Sequence, residues 1–352
     1  MAESERKYTA RAIVAAVTVR SICVEVPVAK GEEVRRTLLA MDLLRKDLQI
    51  ERSGDRLYIP VKTTVAIGDR TLEREFRKGS APVRRWQAIV RVPDRLRSLL
   101  PTSLDVIGAI AILRLPDELR DSERDIGEAI LKWNPKLRTV AVDEGVGGEF
   151  RVRGLRVAAG DPSFETVHTE YGLRYAVDVS KVYFSPRLGS ERMRVAEQIR
   201  PAETVVDLFA GAGPYAILIA RRREPRVVYA VDSNEVAVRY LIKNVRTNRA
   251  WRVEPHLADA RSVLAKVGAV DRIVMDLPHT AHEFLIDAFR AVRPGGMIHY
   301  YAILSLAEAQ GHREEIQVLA RDAKRHAEIA ATREVRGYSP VKKHWAYDLR
   351  VT

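Results

Sequence analysis

In Val205-Val-Asp-Leu-Phe-Ala-Gly-Ala-Gly-Pro-Tyr-Ala-Ile-Leu-Ile-Ala220 an apolar run of strand type breaks at Gly211 and Gly213 and resumes as a helical pattern. Such a junction gathers unpaired backbone N–H groups at the carboxyl end of a strand, and two glycines leave room for a nucleotide-like ligand. Nineteen residues after Gly213 the next apolar run ends in Asp232, where a carboxylate can accept from both ribose hydroxyls. A third run ends at Asp259-Ala260, and Asp259 either reaches an adenine amino group or caps the following helix. The glycine turn also fits the dinucleotide fingerprint with Ala216 in the third place, so on its own it accommodates NAD as well as S-adenosylmethionine.

Two further stretches carry reactive groups. Met275-Asp276-Leu277-Pro278 ends a fourth run, at the switch point beside the cofactor position. Amino-group methyltransferases carry Asp/Asn-Pro-Pro-aromatic there, whereas Leu277 and His279 stand here, which disfavours methylation of an exocyclic amine. His279 and His282 have no evident third ligand, so no metal is expected. Upstream, Lys181-Val-Tyr-Phe-Ser-Pro-Arg-Leu-Gly-Ser-Glu-Arg192 reads as strand, turn and a helix capped by Ser190. Glu191 then falls in the first helical turn, where an acid complements the helix dipole whether or not it does chemistry.

The elements that must position these groups divide the chain into three. Residues 1–65 read as a small α+β domain: a strand between Ile13 and Val26, a helix from Gly31 to Leu44 and a hairpin around Ser53-Gly54-Asp55. Residues 66–85, rich in clustered charge, read as a linker. Residues 86–185 read as a second α+β domain, with strands at 104–113, 139–142, 149–153, 166–168 and 174–184 and a helix through 125–132. From 186 to 352 strands and helices alternate, with strands at 205–210, 227–232, 253–258, 272–277 and 296–303, the pattern of a parallel α/β sheet. The last two apolar segments, 334–338 and 344–350, are too close for a crossover and form a hairpin. The fold class is therefore α/β: a Rossmann-like S-adenosylmethionine-dependent methyltransferase domain whose parallel sheet ends in an antiparallel hairpin, preceded by two smaller α+β domains.

Composition narrows the partners. Lys plus Arg number 59 against 47 Asp plus Glu, a net charge of +12, and only 13 of the basic residues are Lys. An arginine-rich excess favours a polyanion, because guanidinium groups grip phosphate in pairs and stack on bases. Cys23 is the sole cysteine, which excludes an internal disulfide and multi-cysteine metal sites and fits a cytoplasmic protein. No run of 18 apolar residues is present, and no membrane partner is expected.

Tyr183-Phe-Ser-Pro-Arg-Leu-Gly-Ser-Glu-Arg192, Val206-Asp-Leu-Phe-Ala-Gly-Ala-Gly-Pro214, Met275-Asp-Leu-Pro278 and Ala281-His-Glu-Phe-Leu285 together resemble the archaeal and eukaryotic tRNA guanosine-37 N1-methyltransferases. Cys23-Val-Glu-Val-Pro27, Gly31-Glu-Glu-Val-Arg-Arg36 and Arg56-Leu-Tyr-Ile-Pro-Val61 resemble the first domain of the three-domain archaeal members. The resemblance implies methyl transfer from S-adenosylmethionine to N1 of guanosine 37 in tRNA by a monomer. It makes Glu191 the general base and Arg151 the group near guanine O6, with Tyr183 and Arg187 on the target nucleotide. It places the cofactor against Arg192, Asp207, Phe209, Gly211, Gly213, Asp232, Asp259, Ala260, Asp276 and Pro278. The family commonly has Asn where this chain has Asp276, which keeps a wyosine-type tricyclic base at the same position as an alternative substrate. An NAD-dependent enzyme and a non-catalytic RNA-binding protein are the alternatives from other classes.

Overall fold

The computed structural model describes residues 18–77, 86–147, 152–339 and 341–352. They fall into two compact units, one ending at Ile89 and one beginning at Val90. In the first, β1 (Thr18–Pro27), β2 (Glu51–Ser53), β3 (Arg56–Pro60) and β4 (Arg70–Arg77) form an antiparallel sheet in the order β2-β3-β1-β4. Helix α1 (Gly31–Ala40) brings Leu38 against Val24, Val26 and Ile59. The expected hairpin is present, with Gly54 at φ 61°. The helix expected to reach Leu44 stops at Ala40, where the chain turns through Asp42 at φ 55°. Residues 66–85 are not simply a linker, since β4 pairs with β1 from Thr18↔Arg77 to Glu25↔Arg70. Its alternating charges concealed an edge strand that buries one side chain fully, Phe76. Positions 13–17 and 78–85 lie outside the described residues.

The second unit begins with a sheet of β5 (Asp105–Ile107), β6 (Ile110–Leu113), β7 (Thr139–Gly147) and β8 (Val152–Gly160), in that order. Strands β6 and β7 are parallel and connected through α2 (Glu123–Trp133); the other pairs are antiparallel. The run expected as a single strand over 104–113 folds back at Gly108, φ 56°, where a Cβ would lie 2.2 Å from Thr166 Oγ1. β9 (Glu165–Glu170) and β10 (Leu173–Asp178) form a hairpin, so the strand expected to reach residue 184 ends at Asp178. Helix α3 (Gly189–Gln198) follows; its N-cap position is Leu188 rather than Ser190, and no side chain caps it.

The remaining elements alternate: β11 (Thr204–Asp207), α4 (Pro214–Arg222), β12 (Val227–Asp232), α5 (Glu235–Asn248), β13 (Val253–Leu257), α6 (Ala260–Leu264), β14 (Val270–Met275), α7 (Leu285–Ala291), β15 (Val292–Ser305), α8 (Leu306–Asp322), β16 (Ala327–Gly337) and β17 (Lys342–Val351). They form a seven-stranded sheet in the order β13-β12-β11-β14-β15-β17-β16. The first five strands are parallel, and β17 lies antiparallel between β15 and β16. Successive residues face opposite cores: Val205, Val274 and Tyr301 pack on one side, Val206, Ile273 and Tyr300 on the other. Helices cover both faces, so these strands read as continuous apolar runs, not alternating ones.

One side chain couples the preceding hairpin to the glycine turn. Asn244 of α5, fully buried, accepts from Ala176 N–H at 2.7 Å and donates to the Ala176 and Ala212 carbonyls at 2.9 and 3.0 Å. Asn244→Ala leaves three buried backbone groups without partners, and a loss of about 3 kcal/mol is expected, since each such group costs about 1–3 kcal/mol with partial relaxation. Urea unfolding followed by circular dichroism measures this; a loss below about 1 kcal/mol would mean that the hairpin does not depend on Asn244.

Candidate active site

The carboxyl ends of β11, β12 and β14 open into a cleft of about 740 Å³. Gly211 lines it at φ 55° and donates its N–H to Asp232 Oδ2 at 2.7 Å, while Asp232 Oδ1 accepts from Asn234 N–H at 2.8 Å. Burial raises the Asp232 carboxyl above its usual range, and these two N–H groups oppose that. Asn234 caps α5 and donates to the Lys181 carbonyl at 2.9 Å, tying the strand end to the opposite wall. Phe209 lines the cleft edge-on to Phe284, with centroids 5.1 Å apart. Pro278, also on the lining, accepts from Ile303 N–H at 3.0 Å.

Several expected cofactor residues also serve the frame. Gly213, at φ 88°, is the N-cap position of α4, and a Cβ there would come within 2.4 Å of Leu241 Cδ1. Its glycine is required by the turn and by helix packing. Asp207 lies fully buried near the N–H groups of Phe209 and Ala216; burial first, then Asp276 and Asp232, push its carboxyl up to about 8. Asp259 accepts from Arg261 N–H at 2.8 Å as the cap of α6, and Ala260 begins that helix. None of the four lines the cleft.

The opposite wall is the segment Tyr183–Arg192, held from two sides. Arg187 Nε donates to Asp105 Oδ1 of β5 at 2.6 Å, and Asp105 also accepts from Arg153 at 3.1 Å. Arg192, only 1% exposed, donates to both Glu170 oxygens at 2.9 and 2.5 Å and to the Ser185 carbonyl at 3.0 Å. Tyr183 is 43% exposed on the cleft, and its hydroxyl accepts from Arg336 of β16 at 3.3 Å. Arg151 lies outside the described residues; Arg153, two positions on, lines the cleft.

Glu191 stands in the first turn of α3, as expected. It is 1% exposed, does not line the cleft, and has both oxygens engaged: Arg194 at 2.7–3.1 Å, Tyr301 Oη at 2.8 Å and Arg333 at 3.3 Å. It meets the cleft through two hydroxyls, since Tyr215, which lines the cleft, donates to Tyr301 at 3.1 Å. Of the carboxylates that line the cleft, Asp105, Asp143, Asp232 and Asp276, the last has His344 Nε2 3.7 Å from its Oδ1. Both ring nitrogens of His344 and the hydroxyl of Ser185 are buried on this wall without hydrogen-bond partners among the described residues. Orphaned polar groups at a cleft are ones that a bound ligand satisfies. Sequence reasoning did not find His344, Arg336 or Arg153; their strands carry no motif, and only pairing brings them to the cleft. Among the described residues no group of His, Cys, Asp and Glu could hold a metal, and no helix is long and apolar enough to cross a membrane.

A glycine turn with a strand-end carboxylate, on a parallel sheet closed by an antiparallel inserted strand, defines a Rossmann-like methyltransferase domain rather than a dinucleotide-binding one. The model of the TRM5/TYW2 methyltransferase domain matches residues 166–332, that of the TYW2 N-terminal domain 88–163 and that of the tRNA methyltransferase 5 N-terminal domain 23–67. The chain is 40% identical to tRNA (guanine(37)-N(1))-methyltransferase Trm5b of Pyrococcus abyssi, over 94% of this chain and 99% of that one; the crystal structure of that protein superposes with a TM-score of 0.73. It is also similar to aTrm5 solved in complex with tRNALeu, with 32% identity, a TM-score of 0.69 and coverage of 94% and 100%. Methanocaldococcus jannaschii TYW2, solved with AdoMet, is 25% identical with a TM-score of 0.55, covering 71% of this chain and 99% of that one. The chain belongs to the TRM5/TYW2 methyltransferase family.

Asp232 stands on the cleft at the end of β12, where the sequence leads one to expect a nucleoside anchor. Asp232→Ala removes an acceptor for ribose and frees the Gly211 and Asn234 N–H groups. S-adenosylmethionine affinity is expected to fall about 10–100-fold, the equivalent of about 1.5–3 kcal/mol for bonds to a charged group, with tRNA affinity nearly unchanged. Calorimetric titration of each ligand checks this; an equal loss of both affinities would contradict the assignment.

Proposed function

We propose that this protein transfers the methyl group of S-adenosylmethionine to N1 of guanosine 37 in tRNA, as a monomer and without a metal. The observation that carries the reading is one continuous cleft joining the nucleoside anchor, Gly211 and Asp232, to a wall of Tyr183, Arg187, Asp276 and Arg336. It is supported by similarity to a protein of that activity over nearly the whole chain. The residues present fit the cofactor: Gly211 keeps the turn open, Asp232 offers a carboxylate at the strand end, and Phe209 and Pro278 give apolar surface. When bound, it supplies an electrophilic methyl group on a sulfonium.

The chain's own residues must then do three things. Tyr183, exposed at the rim, gives the target base a face to stack on, and Arg187 is pre-set for a phosphate or base edge by Asp105. N1 of guanine carries a proton, and its removal spreads negative charge to O6, where a guanidinium stabilises it. Arg336 and Arg153 are the described guanidinium groups on the lining besides Arg187, Arg192 and Arg114, and Arg151 belongs to the same segment as Arg153. Positioning of base against methyl supplies the rest, a term that reaches ~7–11 kcal/mol in favourable cases.

Single-turnover reaction with an unmodified tRNA transcript, followed by mass spectrometry of the nucleosides, tests the reading. N1-methylguanosine at position 37 is expected; a product only on a tricyclic precursor, or none, would contradict it. Binding to the same tRNA is expected to weaken with a log–log salt slope of several units, as the +12 chain releases counterions.

A further inference from the structure

A base turned into the cleft leaves its neighbours in the RNA chain without a stacking partner, and a protein that holds such a conformation offers them aromatic faces instead. Tyr183 is one such face, and the cleft has a second. Tyr338, at the tip of the β16–β17 hairpin, also lines the cleft and is 46% exposed. Its ring lies edge-on to His279, with centroids 5.5 Å apart. We propose that Tyr338 stacks on the base of a nucleotide flanking the target, so that the hairpin tip holds the anticodon loop beside the methylation site. The proposal rests on the methyl-transfer reading above.

The hairpin holds that ring in place. Tyr338 N–H and Ser339 N–H both donate to the Lys342 carbonyl, at 3.0 and 2.9 Å, and Lys342 N–H donates to Ser339 Oγ at 3.0 Å. A tip closed by these bonds has little freedom to lose on binding, so contact made by the ring is not offset by ordering a loop. The strands behind it are anchored as well: β17 pairs with β16 from Ala327↔Val351 to Gly337↔Lys343 and with β15 from Met297↔Arg350 to Ser305↔Lys342. Two residues before Tyr338, Arg336 donates from Nη2 to the Tyr183 hydroxyl at 3.3 Å, while its Nε is buried without a partner among the described residues. Two residues of extended chain span about 7 Å, so Tyr338 stands one strand repeat from the residue that touches Tyr183. The orphaned N–H between them is one that a phosphate or base edge of adjacent nucleotides satisfies. Lys342 and Lys343 of the tip each share their charge with an acid, Glu308 at 3.4 Å and Glu334 at 2.5 Å. What the tip offers RNA is therefore chiefly an aromatic face.

The test is a double-mutant cycle on tRNA binding. Wild type, Tyr338→Ala and Tyr338→Phe are titrated with an intact tRNA transcript and with two transcripts that carry an abasic nucleotide immediately before or immediately after guanosine 37. Tyr338→Ala is expected to bind intact tRNA about 10-fold more weakly, within the range for loss of one stacked base. Its S-adenosylmethionine affinity and its salt slope should stay as in wild type, since stacking releases no counterions. Tyr338→Phe keeps the ring face and should bind as wild type does. Wild type should lose about the same 10-fold on one of the two abasic transcripts, and Tyr338→Ala should lose nothing further on that one; which transcript it is identifies the stacked nucleotide. Equal affinity of wild type and Tyr338→Ala for intact tRNA, or additive losses on both abasic transcripts, would overturn the proposal. So would a Tyr338→Phe variant as weak as Tyr338→Ala, because the contact would then be the hydroxyl and not the ring. Absence of N1-methylguanosine from the wild-type reaction would instead overturn the function on which it rests.

Discussion

Three carboxylates brought into one poorly hydrated place are the constraint on which the site depends. Parallel strands end together, so Asp207, Asp232 and Asp276 converge at the carboxyl ends of β11, β12 and β14, and burial is the first cause that raises each of them. Like charges in a medium of low dielectric cannot all be held ionised without compensation. The compensation present is of limited use to them. Arg192, the buried guanidinium nearest in sequence to the site segment, already spends its fork on Glu170. What remains is the more distant pull of Arg192 and Arg336 on Asp276, backbone N–H groups on Asp232 and, near Asp207, the turn itself. The strand-end side of the cleft therefore favours a positively charged group, and a sulfonium is one.

The rest of the second unit holds this socket in shape. The β9–β10 hairpin supplies Glu170 to fix Arg192 and is itself clamped to α5 and the glycine turn by Asn244. Asp105 of the β5–β8 sheet sets Arg187 at the far end of the same wall. On the other side, Glu191, Arg194, Asp348 and His299 form a buried ionic chain between α3, β15 and β17; Arg194 bonds Asp348 at 2.5 Å and Asp348 bonds His299 at 2.6 Å. Breaking such a chain at one member leaves a buried charge unpaired, so it fixes the insertion of β17 and with it the place of His344.

How much of this was legible in the sequence follows from the range of the interactions. The glycine turn, the strand-end Asp232 and the closing hairpin depend on neighbours within a few tens of residues, and their patterns are intact in the chain. The switch-point Asp276 was visible as a position, but its closeness to His344 of β17 was not. Glu191 shows why: its partners Tyr301, Arg333 and, through Arg194, Asp348 lie more than a hundred residues away, so a helix-start acid could not be distinguished from a base aimed at substrate. β4 and the fold at Gly108 were missed for a related reason. An edge strand that buries only Phe76 carries little periodic signal, and a glycine within an apolar run reads as strand until its packing against Thr166 is known.

The carboxyl cluster is short of counter-charge, and a bound cationic cofactor supplies it. Calorimetric titration of S-adenosylmethionine near pH 6, repeated in buffers of different ionisation enthalpy, counts the protons exchanged on binding. Net proton release is predicted, because a positive charge beside raised carboxyls favours their ionised form, and Asp276→Asn should abolish most of it. Binding with no proton exchange between about pH 5.5 and 8 would contradict the account.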